Sequence, residues 1–125
     1  VSCWAGLDPV DFYGKARAAV PGLKVPSIML LAEPGAWNLH ANALPWLEHA
    51  GTNLTALRVR GSTHCDPEIP TTRAAELVSG RTEAKRRAVY ERHILAHFRE
   101  HLLGHAPLMH GQDLEVEQLD PQTAH

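Results

Sequence analysis

The run Val25-Pro26-Ser27-Ile28-Met29-Leu30-Leu31-Ala32 limits the fold more than any other stretch of the chain. Its side chains are apolar almost without a break, so neither face of an extended strand there suits water. It is far shorter than the ~20 residues of a membrane-spanning helix, and short for a buried helix. The expected form is a strand covered on both sides, as in the middle of a parallel sheet flanked by helices. Pro26 falls near its start, where a missing ladder donor does little harm.

Two other apolar runs, Val1–Leu7 and Leu54–Arg60, are also of strand length. The latter is continuous at first and then alternates, which suits a strand nearer a sheet edge. Helical patterns fill the gaps. Phe12–Val20 is closed by Pro21-Gly22, and Ala43–Ala50 has Asn42 as a cap and Gly51 as a stop. Thr72–Val78 is a weaker helix, and the longest runs from about Glu83 to Leu103 with Thr82 as N-cap and Gly104 as stop. On that helix Tyr90, Ile94, Phe98 and Leu102 recur every four residues and are the expected buried stripe. Strands alternating with helices indicate an α/β fold with parallel strands and right-handed crossovers, ending in a long C-terminal helix. Residues 1–110 are read as the folded portion. Residues 111–125 hold four acids, no Lys or Arg, and Pro121, and are expected to form a mobile acidic tail.

Twelve basic and fourteen acidic residues give a net charge of −2, which provides no electrostatic footprint for nucleic acid. No apolar run approaches the length of a transmembrane segment, and two cysteines do not make a disulfide scaffold. The chain opens inside an apolar run, without Met or a polar leader. It is therefore expected to be the C-terminal portion of a longer protein, and a sheet of three strands points the same way.

In an open parallel sheet, ligands bind beyond the carboxyl ends of the strands. Those exits carry Gly6-Leu7-Asp8-Pro9-Val10-Asp11, then Glu33-Pro34-Gly35-Ala36-Trp37-Asn38, then Gly61-Ser62-Thr63-His64-Cys65-Asp66-Pro67-Glu68. A carboxylate that orients a histidine, with the histidine as general base, is the acid–base half of a hydrolytic triad. His64 is the candidate base. Asp8 is the first candidate acid, Glu33 the reserve, and Asp11 a third. Trp37 is a candidate wall of a substrate pocket.

At these residues the chain resembles the α/β-hydrolase fold family. The match is carried by Leu23-Lys24-Val25-Pro26 leading into Ile28–Ala32, by Leu54–Arg60 leading into Gly61-Ser62-Thr63-His64, and by the last amphipathic helix. It spans roughly residues 1–104. Gly6-Leu7-Asp8-Pro9-Val10-Asp11 is similar to the segment after the sixth strand of chlorophyllase-like members, which there holds the triad acid, here Asp8. His64-Cys65-Asp66-Pro67-Glu68 looks like the dienelactone- and polyester-hydrolase-like branches. The resemblance implies the C-terminal half of such a domain, in which His64 and Asp8 serve a Ser-Asp-His triad. It further implies a small-molecule carboxylic ester as substrate, chemistry without a metal or organic cofactor, and the N-terminal half of the same fold as partner.

One departure is large: no Gly-x-Ser-x-Gly nucleophile elbow occurs in the chain, so the resemblance places nucleophile and oxyanion hole upstream of Val1. Cys3, within Val1-Ser2-Cys3-Trp4-Ala5, is a poor substitute because Val1 stands where glycine is needed. The alternative to an enzyme is a non-catalytic, truncated hydrolase-like module used for binding or assembly through its open sheet edge. Nine histidines are many for this length, and His93, His97, His101 and His105 recur every four residues. This stripe is read as a solvated boundary face rather than a metal site, since it lacks the Glu of His-Glu-x-x-His.

Overall fold

The fold is described from a computed structural model of the chain, covering residues 2–11, 13–35, 43–68 and 70–121. Trp37, Phe12 and Asn42 lie outside the described residues. Four strands form one sheet in the order β1 (Trp4–Leu7), β2 (Ser27–Leu31), β3 (Leu54–Val59), β4 (Val116–Leu119). The first three run parallel, with Gly6 opposite Met29 and Met29 opposite Ala56. β4 returns antiparallel along β3, with Val116 opposite Val59. The architecture is a mixed, mostly parallel sheet with helices, the general α/β arrangement the sequence indicates.

The apolar run of β2 is explained by what covers it. Ile28 and Leu30 point to one side, where they pack with Leu57, Val59, Val89, Tyr90 and Val116. Met29 and Leu31 point to the other, against Val20, Trp46, Leu47 and Leu119. All five residues of β2 are buried. With a strand period of two, both alternating sets must then be apolar. Trp46 is part of this core. At Gly6 a Cβ would run into the Trp4 indole folded over it, which explains why β1 carries glycine there.

Connections on the Met29 side are short. α1 (Lys15–Ala19) leads into a 3₁₀ turn at Val20–Gly22, and the segment expected to be a helix over Ala43–Ala50 is only a 3₁₀ turn, Leu44–Glu48. Pro45 falls at its start and Gly51 soon follows, leaving little room for α-helical bonds. After β3, α2 (Arg73–Ser79) is capped by the Thr72 hydroxyl, which accepts from Ala75 N at 3.2 Å. α3 (Ala84–Leu103) then runs 20 residues and ends at Gly104 in the left-handed region, φ 69°. Thr82 does not cap it; its hydroxyl donates to Glu76 instead at 2.6 Å.

Three expectations need correcting. The long helix is not the last element, because the chain continues into β4. The acidic stretch expected to be a mobile tail from residue 111 supplies that strand, with Val116 and Leu119 buried against the core. β3 is consequently paired on both sides and is not a sheet edge. A cross-strand ion pair between Arg58 and Glu117, 3.5 Å, accommodates the charge that β4 brings in.

The stripe of α3 also differs. Val89, Tyr90, His93 and His97 are buried, while Leu102 is exposed. A strict four-residue spacing advances about 400° per step at 3.6 residues per turn. Leu102 therefore sits about 120° around the helix from Tyr90. Steps of three and four, from Tyr90 to His93 to His97, keep to one face.

Candidate active site

Asp8 follows directly on β1. Its backbone has φ 38°, a region that non-glycine residues rarely occupy and that Asp tolerates better than most. Such strain costs of order 1–3 kcal/mol and persists only where surrounding contacts hold it. Here the end of β2 does so. Asp8 N donates to Leu30 O at 2.7 Å, and Ala32 N donates to Asp8 Oδ1 at 2.9 Å. The carboxylate is 1% exposed. Its other oxygen, Oδ2, lies 2.6 Å from His64 Nδ1, joining residues 56 apart in sequence.

The His64 loop is built from the end of β3. Gly61, at φ 67°, turns the chain, and the buried Ser62 hydroxyl donates to Val59 O at 2.8 Å and meets the Tyr90 hydroxyl at 2.9 Å. Burial drives the Tyr90 phenol well above its ordinary pKa, so it is a neutral hydrogen-bonding group. Glu33, the reserve acid, braces this loop. Its N donates to Ser62 O at 3.1 Å and its Oε1 accepts from Gly61 N at 3.4 Å. Among the described residues, Asp8 is the carboxylate hydrogen-bonded to His64. Asp11 is occupied elsewhere, accepting from Arg17 N at 2.7 Å at the start of α1. Cys3 precedes β1, whereas Cys65 follows β3, so the two free thiols lie at opposite ends of the parallel strands.

The residue that sequence reasoning missed is Asp66. It is fully buried and accepts from Thr63 N at 2.6 Å and from Glu83 N at 2.7 Å, and Arg86 Nε lies 2.8 Å away. It therefore ties the His64 loop to the first turn of α3. Gly80 presses on the same loop, since a Cβ there would stand 2.9 Å from the Thr63 methyl and the backbone has φ 97°. The available signal was Asp66-Pro67 after an apolar strand, but it reads equally as a turn.

A carboxylate at Nδ1 favours the tautomer protonated there and makes Nε2 the basic nitrogen. The hydrogen bond to Asp8 raises the His64 pKa above its usual value. Partial burial opposes this, and the charges of Asp8 and Glu68 add to it. The geometry provides a positioned, carboxylate-supported base. No family model matches the sequence, and no curated protein or solved structure matches it either.

His93 and His97 of α3 are buried, not solvated as expected, and His93 belongs to a second polar cluster with His110 and Asp113. His93 Nε2 lies 2.7 Å from Asp113 Oδ2 and its Nδ1 lies 2.8 Å from His110 Nδ1. Burial opposes ionisation of Asp113, but hydrogen bonds from Arg92, Glu115 N and His93 outweigh it and hold its pKa at about 2. An ionised Asp113 requires His93 to donate from Nε2. A neutral His93 then accepts at Nδ1 from His110. Burial lowers the pKa of His93, His97 and His110.

The consequences for stability have opposite signs. His64, raised in the fold, contributes stability that is complete below about pH 6.5 and is lost as pH climbs through its folded pKa. The three depressed histidines contribute stability that is complete above about pH 6.5 and is lost as pH falls through their folded pKa values. The expected net result is a lower urea midpoint at pH 5.5 than at pH 7.5, with the difference reduced in His93→Gln. An equal or higher midpoint at pH 5.5 would contradict burial of these rings in neutral form.

Proposed function

We propose that the chain supplies the acid and base of a serine-type carboxylic ester hydrolase. His64 acts as general base through Nε2, and Asp8 orients it and stabilises the imidazolium. The observation that carries this reading is the 2.6 Å bond between a buried Asp8 and His64 across the carboxyl ends of β1 and β3. The strained backbone at Asp8 adds support, because strain collects where function over-determines a residue. The nucleophile and oxyanion amides belong to the N-terminal half of an α/β-hydrolase domain, carried by sequence ahead of Val1. Histidine takes the serine proton during attack on the ester and returns it to the leaving alcohol. Water then releases the acyl group by the same route in reverse roles.

A second reading, a non-catalytic module, is favoured by β1. It is an edge strand whose Leu7 is exposed, and such an edge can pair with another chain. A serine-directed fluorophosphonate separates the two readings. In protein carrying the sequence encoded ahead of Val1, covalent labelling together with turnover of a short p-nitrophenyl ester is expected. Absence of both in folded protein would overturn the enzyme in favour of the module.

A further inference from the structure

His93 and His110 face each other nitrogen to nitrogen. His93 stands on α3 and is 0% exposed, while His110 opens the turn that leads from α3 back to β4 and is half-buried. Their Nδ1 atoms are 2.8 Å apart and their ring centroids 4.9 Å. The other nitrogen of His93 is already committed to Asp113, 2.7 Å away. A contact this short between two ring nitrogens holds a single hydrogen, since one nitrogen must present its lone pair. In this arrangement the pair carries one positive charge at most. A first proton settles on the outer nitrogen of His110 without disturbing the bond, but a second sets N–H against N–H. What the bond ties down is the route into β4. Asp113 N donates to His110 O at 3.1 Å, Asp113 Oδ1 accepts from Glu115 N at 3.0 Å, and Glu115 O accepts from Arg60 N, just after β3, at 2.9 Å.

We propose that the His93–His110 pair is an acid-sensitive latch: protonation of both rings breaks it and lets the segment 110–119, β4 included, come away from β3. Burial is the strongest influence on both rings and opposes their charge. Asp113 favours the charged forms, but Arg92 already holds it at 2.6 Å, and Glu115 lies 3.9 Å from the same guanidinium. Glu100, His97 and His101 line the cavity that His110 also lines. Glu100 favours a charged His110, whereas His93 and His97 oppose it. Once the segment is free, both rings titrate near the ordinary value of about 6.5. An opening that lets one ring gain a proton becomes about tenfold more favourable between pH 7.5 and 5.5, and about a hundredfold for two. β3 then loses its second neighbour and presents an open edge.

The test is amide hydrogen exchange of the 125-residue chain, followed by NMR at pH 7.5 and 5.5 and corrected for intrinsic chemical rates. The opening constant of the β4 amides bonded to β3 is expected to rise about ten- to a hundredfold on acidification, through an opening that leaves β2 amides better protected than those of β4. His110→Gln keeps a side-chain donor toward His93 but removes one titrating ring, so the pH dependence should shrink about tenfold. His105→Gln changes an exposed ring outside the cluster and should leave it unaltered. β4 opening that ignores pH, equal opening constants for β4 and β2 at pH 5.5, or a pH dependence that His110→Gln and His105→Gln affect alike would overturn the latch. The second of these outcomes would mean that β4 leaves only when the whole fold unravels.

Discussion

Asp8→Asn is expected to cut ester turnover about 10⁴-fold while leaving the protein folded. Loss of the carboxylate from a hydrolytic triad has an effect of this size because the imidazole is left in the wrong tautomer, without its counter-charge. Asparagine is a fair replacement in every other respect. It tolerates positive φ, and its carbonyl still accepts from Ala32 N, as Asp8 Oδ1 does at 2.9 Å. The variant therefore isolates the contact to His64. A second readout applies to the 125-residue chain itself: the His64 pKa, raised by Asp8, should fall toward its ordinary value when followed by NMR. In the wild type the same shift places the alkaline rise of turnover above pH 6.5. An unchanged His64 titration in Asp8→Asn would remove the foundation of the proposed mechanism, and full turnover would remove the mechanism itself.

The largest effect on stability is expected at Asp66. Asp66→Ala removes the nearest carboxylate of the Arg86 guanidinium, only 17% exposed, leaving it Glu83 at 3.5 Å and the Arg81 carbonyl, and removes the acceptor for Thr63 N and Glu83 N. Breaking a buried charge pair on one side costs about 3–5 kcal/mol, and the remaining contacts of Arg86 place the loss toward the lower end of that range. Most small domains have only ~5–15 kcal/mol in total, so the urea midpoint should drop steeply and turnover should suffer through displacement of His64. Asp66→Asn keeps an acceptor oxygen and should lie between the two. A loss below about 1 kcal/mol in Asp66→Ala would show that water replaces these contacts freely.

Much of the layered plan was legible because β2 is apolar throughout and because Gly104 marks the end of the long helix by its own chemistry. Asp8 and His64 were legible as candidates because strand exits concentrate on one rim of a parallel sheet. What escaped notice had weak local signals. β4 is four residues long, with Glu117 and Gln118 between its two buried side chains, and its pairing partner lies more than 50 residues earlier. Nothing local distinguishes it from an acidic tail. His93 and His97 looked solvated because imidazole counts as polar. His93 is compensated by Asp113 and His110, and His97 lies against the backbone of Pro26 and Trp4, partners that no helical pattern reveals. Asp66 escaped for the same reason, since its three partners come from two separate segments.

The double acceptance by Asp66 has a dynamic consequence. With Thr63 N and Glu83 N on one carboxylate, the segment bearing the imidazole has no independent hinge. Releasing it means breaking contacts at the N-cap of a 20-residue helix, so its opening is coupled to fraying of that helix end. The proton acceptor thus inherits the rigidity of the scaffold, and any breathing that admits a reactant has to come from somewhere else on the rim.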